Sequence, residues 1–268
     1  MTATTLTAGL GRRERLAVLA SLLALAALAW LYLWIDAQRM EAAMTLMSGG
    51  MSGGMKMSMA APWDPATLLM TFLMWSVMMV GMMLPSAAPA ILLYAAMVRK
   101  NRHQGTALLS AWLFTSGYLA VWTGFSLAAT LLQAGLEQAA LMSPMMVSTS
   151  AWLSGGLLIV AGIYQWLPIK DVCLEKCRAP LQFFLMRWQP GAAGALRMGA
   201  EHGAFCVGCC WALMGLLFVA GVMNLLWVAL IAGFVLAEKL LPADAWVGRW
   251  FGRAAGAAMI LAGGALMI

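Results

Sequence analysis

Charge is the scarcest property of this sequence: only 10% of its 268 residues are Asp, Glu, Lys or Arg. A soluble domain carries about 25%. The shortage excludes an ordinary water-soluble globule, and with 63% hydrophobic residues the chain belongs in a bilayer. Histidine is scarce as well. His103 and His202 are the only two, too few for the imidazole-rich centres of oxygen or haem chemistry. No Walker motif or other nucleotide-binding string occurs, so any transport is passive or coupled to an ion or a partner.

What is present is apolar length. Seven runs, approximately 16–35, 66–84, 106–133, 149–167, 200–221, 224–241 and 246–267, are read as long enough to cross a bilayer, which takes roughly 20 residues each. The first follows Arg12, Arg13 and Arg15 but exceeds the roughly 7–15 apolar residues of a signal peptide, so it is expected to stay as an anchor. The expected fold is an all-α, polytopic helical membrane bundle of about seven transmembrane helices. It divides into an anchor helix (1–38), a Met-rich extracytoplasmic loop (39–63) and a metal-binding bundle (64–268).

Lys and Arg set the orientation. Arg12, Arg13, Arg15, Arg99, Lys100, Arg102, Lys170, Lys176, Arg178, Arg187, Arg197, Lys239, Arg249 and Arg253 fall on one side of a seven-span chain. Arg39 and Lys56 fall on the other. This bias predicts a bacterial inner-membrane protein with its N-terminus in the cytoplasm. The net charge of +6 reflects that topology and gives no argument for nucleic acid. All five cysteines are then cytoplasmic or buried, away from the oxidising side where disulfides persist.

The outer side carries thioethers instead. In "MSGGMSGGMKMSM", Met47, Met51, Met55, Met57 and Met59 stand among Gly, Ser and one Lys, where a Gly/Ser linker offers no core to fill. A thioether needs no deprotonation and is a soft ligand, which suits Cu(I). These five are read as an accessory capture tether; a Met-biased linker is the plain alternative.

Residues 64–97 form an apolar stretch too long for one straight crossing. Asp64 and Pro65 suit a helix start, and Pro85 and Pro89 are expected to break the second span near Leu84. Met70, Met74, Met78 and Met82 recur every four residues along it, with Met79 and Met83 widening the ridge. Met78 and Met82 are the candidate ligands; adaptable packing is the alternative.

The fifth span reads "EHGAFCVGCCWALM" over 201–214. On a helix His202, Cys206 and Cys209 lie within about 60° of one another, and Cys210 about 40° beyond Cys206. Glu201 sits on the neighbouring flank. Thiols, an imidazole and a carboxylate inside a membrane helix form a functional-site candidate by default. Soft donors point to Cu(I), with Zn(II) compatible. His202, Cys206 and Cys209 are expected to bind the ion, with Cys210 or Glu201 as an additional or supporting ligand. A thiol–disulfide role for Cys206 and Cys209 is the competing chemistry. In the loop before this span, Cys173 and Cys177 stand four apart and are read as a cytoplasmic metal exit, with a structural or incidental role as the alternative.

The strings "WSVMMVGMMLPSAAPAILLY" (75–94) and "EHGAFCVGCCWALM" resemble the bacterial family of predicted metal-binding integral membrane proteins, a domain of unknown function. The resemblance covers roughly 66–267 and implies metal binding without an activity, a metal or a direction. The residues themselves favour a transporter or membrane chaperone for Cu(I), moving it across or within the inner membrane. A periplasmic or cytoplasmic metal chaperone, or a recipient metalloprotein, is the expected exchange partner besides the lipid. A membrane metalloenzyme or redox protein, and a transporter of Hg(II) or Zn(II), are the alternatives.

Overall fold

The computed structural model describes residues 11–49, 63–100, 107–142, 150–241 and 246–268. Ten helices and no β-strand occur among them. They are α1 (Arg12–Gly49), α2 (Pro65–Lys100), α3 (Ala107–Gln138), α4 (Ala151–Tyr164) and α5 (Pro168–Arg178). Then follow α6 (Pro180–Arg187), α7 (Gly191–Gly215), α8 (Leu217–Ala220), α9 (Leu225–Leu240) and α10 (Trp246–Met267).

Helix α1 buries one stripe, Val18, Leu22, Ala26, Ala29, Leu33 and Ala37, while Leu23, Leu28 and Trp34 on its other faces are exposed. Steps of three and four make that stripe a single face. Exposed apolar side chains recur on other helices, as at Trp152 and Leu261, which suits contact with lipid. The helix runs on through Gly49, so residues 39–49, expected in the Met-rich loop, continue the first helix. Met47 falls in its last turn; Met51, Met55, Met57 and Met59 lie outside the described residues, as does His103.

Asp64 opens α2 as its sequence suggests. Its Oδ1 accepts the Thr67 N–H at 2.8 Å, and that hydrogen bond holds the carboxyl below its ordinary range. The expected break at Pro85 does not occur: α2 is one helix with both prolines inside it. Pro85 cannot donate to the carbonyl four residues back, Gly81 O. Trp30 of α1 fills that vacancy, its indole Nε1 donating to Gly81 O at 3.3 Å. A neighbouring helix thus satisfies the freed group, which is how a bilayer tolerates an internal proline.

The break lies elsewhere. Helices α4 and α5 meet at 66° across the residues before Pro168. Among the described residues five helices are long and apolar enough to cross a membrane, or six if this bent pair is one span. The remaining expected run, 224–241, is α9, whose 16 residues span only about 24 Å at 1.5 Å each.

The closest helix pair near the site is α3 against α7. A Cβ on Gly199 would stand 1.9 Å from Phe114 O, and one on Gly117 would stand 2.0 Å from Leu196 O. Only glycine lets the two backbones touch, and that contact brings Tyr118 of α3 to the middle of α7.

Candidate metal centre

Helix α7 turns His202, Cys206, Cys209 and Cys210 into the core, each no more than 3% exposed. The Cys209 and Cys210 thiols donate to Cys206 O at 3.1 and 3.0 Å. This back-bonding folds both sulfurs onto the Cys206 turn. The Cys206 sulfur lies near those of Cys209 and Cys210.

Cys177 joins them from another helix. Proline at Pro168 restarts the chain as α5, which lies along α7, and the Cys177 thiol comes near those of Cys206 and Cys209. Cys173 packs onto the same helix: a Cβ on Gly208 would come within 2.8 Å of its sulfur. Sequence reasoning placed Cys173 and Cys177 at a separate exit; the fold sets them beside the α7 cysteines. Tyr164 adds a staple by donating its hydroxyl to Gly208 O.

Three further residues complete the surroundings. The Tyr118 hydroxyl is 3.0 Å from Cys206 Sγ, Lys239 Nζ of α9 is also 3.0 Å from it, and Met83 Sδ of α2 is 4.0 Å from Cys210 Sγ. None of the three was marked from the sequence as part of the site. Lys239 closes an apolar run and counts there only toward the Lys/Arg bias. Tyr118 carries no local signal at all. Met83 was visible only as an outlier of the methionine ridge, whose candidates Met78 and Met82 are buried along α2.

The structure does not bring Glu201 to the thiols. Its carboxylate faces Arg187 at 3.3 Å and Arg197 at 3.4 Å. His202 is one turn from Cys206 in an aromatic box, its ring centroid 5.9 Å from Phe114, 6.0 Å from Tyr118 and 6.2 Å from Phe183. Its buried Nδ1 has no hydrogen-bond partner among the described residues.

A buried ion pair holds the elements together. Lys170 Nζ of α5 donates to both oxygens of Glu238 at 2.7 Å, with both side chains almost fully buried. Gln165 also accepts from Lys170. Glu238 and Lys239 are adjacent on α9, so one turn of α9 fastens α5 through Glu238 and α7 through Lys239.

The donors do not converge as a finished cage. Among the described residues no three His, Cys, Asp or Glu side chains are grouped so as to hold an ion. The thiol hydrogens point instead at neighbouring sulfurs and at a backbone carbonyl. Soft donors in contact across two helices still suit an ion satisfied by few ligands, because rotating a thiol from its carbonyl costs only one weak hydrogen bond.

The model of the PpoB2 family, described as a copper chaperone, matches residues 72–266. That range holds every described residue of the thiol cluster and leaves out α1 and the Met-rich segment. No curated protein and no solved structure matches the chain.

Proposed function

The chain belongs to the PpoB2 copper chaperone family, and we propose that it carries Cu(I) as cargo on Cys177, Cys206, Cys209 and Cys210. The observation that carries this reading is the close packing of α5 on α7, with Cys173 against Gly208 and Cys177 near Cys206 and Cys209. Thiolates are the soft donors Cu(I) prefers, and two opposed helices can grip and release an ion without unfolding. Met83 offers a neutral thioether at the edge of the group. The unpartnered His202 nitrogen is a further donor within one helical turn. An orphaned buried nitrogen asks for an explanation, and recruitment during loading or hand-over supplies one.

The same reading places the chain in the bacterial inner membrane, with α9 as a short seventh crossing and the N-terminus in the cytoplasm. The fourteen-to-two division of Lys and Arg supports that orientation. A Ser52→Cys probe that reacted only from the cytoplasmic side would overturn it. Met47, Met51, Met55, Met57 and Met59 then face the outside as a capture tether, raising the local ion concentration for the buried thiols. A periplasmic or cytoplasmic metal carrier, or a recipient metalloprotein, exchanges the ion.

Cu(I) titration of the full chain against a chromogenic chelator tests the core of this. Cys206→Ser and Cys177→Ser are each expected to weaken binding by at least about tenfold, the loss of roughly 1.4 kcal/mol. Replacing the five tether methionines by Leu should leave the endpoint intact and slow loading only at scarce copper. Undiminished binding in a Cys177→Ser/Cys206→Ser double variant would end the proposal. Tether-free loading as fast as the parent's at scarce copper would end the tether's part alone.

A further inference from the structure

We propose that Lys239 sets the charge selectivity of the thiol site, favouring a soft monovalent ion over a soft divalent ion of the same coordination geometry. The inference rests on the Cu(I) reading above and concerns a residue to which that reading gives no role.

The geometry isolates the ammonium on sulfur. Lys239 Nζ is 3.0 Å from Cys206 Sγ and 2.8 Å from Ser86 Oγ of α2. Tyr118, Cys177 and Cys209 are further ionisable groups around it. The adjacent carboxylate is already committed, since Glu238 holds Lys170 through both oxygens at 2.7 Å. Among the described residues Lys239 forms no carboxylate ion pair. A cation taken from water into such surroundings needs a compensating anion, and the nearest source of one is the Cys206 sulfur.

Charge arithmetic then separates the ions. Cu(I) bound to Cys206 and one neighbouring thiolate leaves one net negative charge, which the ammonium cancels. Hg(II) on the same two thiolates is already neutral, so the ammonium leaves one positive charge unbalanced. Softness and linear geometry are common to both ions, so the fixed cation is what distinguishes them. Burial makes that distinction stronger than it would be in water.

The test compares Cu(I) and Hg(II) on the full chain in lipid nanodiscs, each by competition with a chelator or a small dithiol. Lys239→Gln should weaken Cu(I) by about tenfold or more while Hg(II) binding holds or tightens. Lys239→Arg, which keeps the charge, should preserve the parental ratio. Lys239→Met, of similar length without the charge, should shift the ratio as Lys239→Gln does. It provides the readout should Lys239→Gln fail to fold. Equal losses for both ions would assign Lys239 a merely structural role and overturn the inference, as would an unchanged ratio in Lys239→Gln or Lys239→Met. A parent chain that binds no Cu(I) would overturn the reading and the inference together. A parent that binds Cu(I), with variants that keep its ratio, would overturn the inference alone.

Discussion

Met83 meets the thiols because one residue along a helix is a 100° turn. The ridge Met70, Met74, Met78, Met82 is the visible pattern in the sequence, yet Met83 just beside it places its sulfur 4.0 Å from Cys210. Met83→Leu keeps volume and apolarity, a swap that cores tolerate for less than about 1.5 kcal/mol. It should therefore fold normally and lose Cu(I) affinity by up to about tenfold, one weak donor's worth. Met78→Leu and Met82→Leu should leave that affinity unchanged in the same chelator titration; an effect there and none at Met83 would reverse the assignment. The cysteines of α7 were legible because their spacing is local. Cys177 was half legible: its type was noted, but its place depends on α5 folding back along α7. Glu201 was read as an additional or supporting ligand, and helical spacing does not reveal the arginines that its carboxylate faces, Arg187 and Arg197.

Among the elements, the prolines of α2 and of the α4–α5 pair act differently, the first against expectation and the second where the fourth apolar run ends. Pro85 and Pro89 sit inside an unbroken helix, whereas the chain bends by 66° before Pro168. A proline's local effect is certain, but whether the helix breaks depends on who satisfies the freed carbonyl. Trp30 does so at Gly81 O, from a helix 51 residues earlier, and no local pattern discloses that. Trp30→Phe keeps most of the packing and removes the donor. It should destabilise the chain by about 1 kcal/mol and speed hydrogen exchange in the turns of α2 around Gly81. Unaltered exchange and thermal stability would mean that the carbonyl finds another partner and that the indole is incidental. The bend at Pro168 has a clear consequence: it lays α5 against α7 and carries Cys177 to Cys206.

At the scale of the molecule, the all-helical character and the long apolar helices were legible from composition and run length alone. The number of crossings was less so, because α9 is helical and apolar but only 16 residues long, and run length alone does not say how deep a short helix reaches. The thiol cluster draws on α2, α3, α5, α7 and α9 at once, through Met83, Tyr118, Cys177, Cys206 and Lys239. All of these fall within residues 72–266, the part that the copper chaperone family shares. A site assembled from five helices should be lost as a unit when its central contact is removed. X-ray absorption at the copper edge, on the full chain loaded with equimolar Cu(I) in nanodiscs, reads that contact directly. The parent should give a first shell of sulfur alone, and Cys177→Ser/Cys206→Ser should lose that shell or exchange it for nitrogen and oxygen. A parent shell dominated by nitrogen or oxygen, or a sulfur shell that survives the double substitution unchanged, would contradict the account.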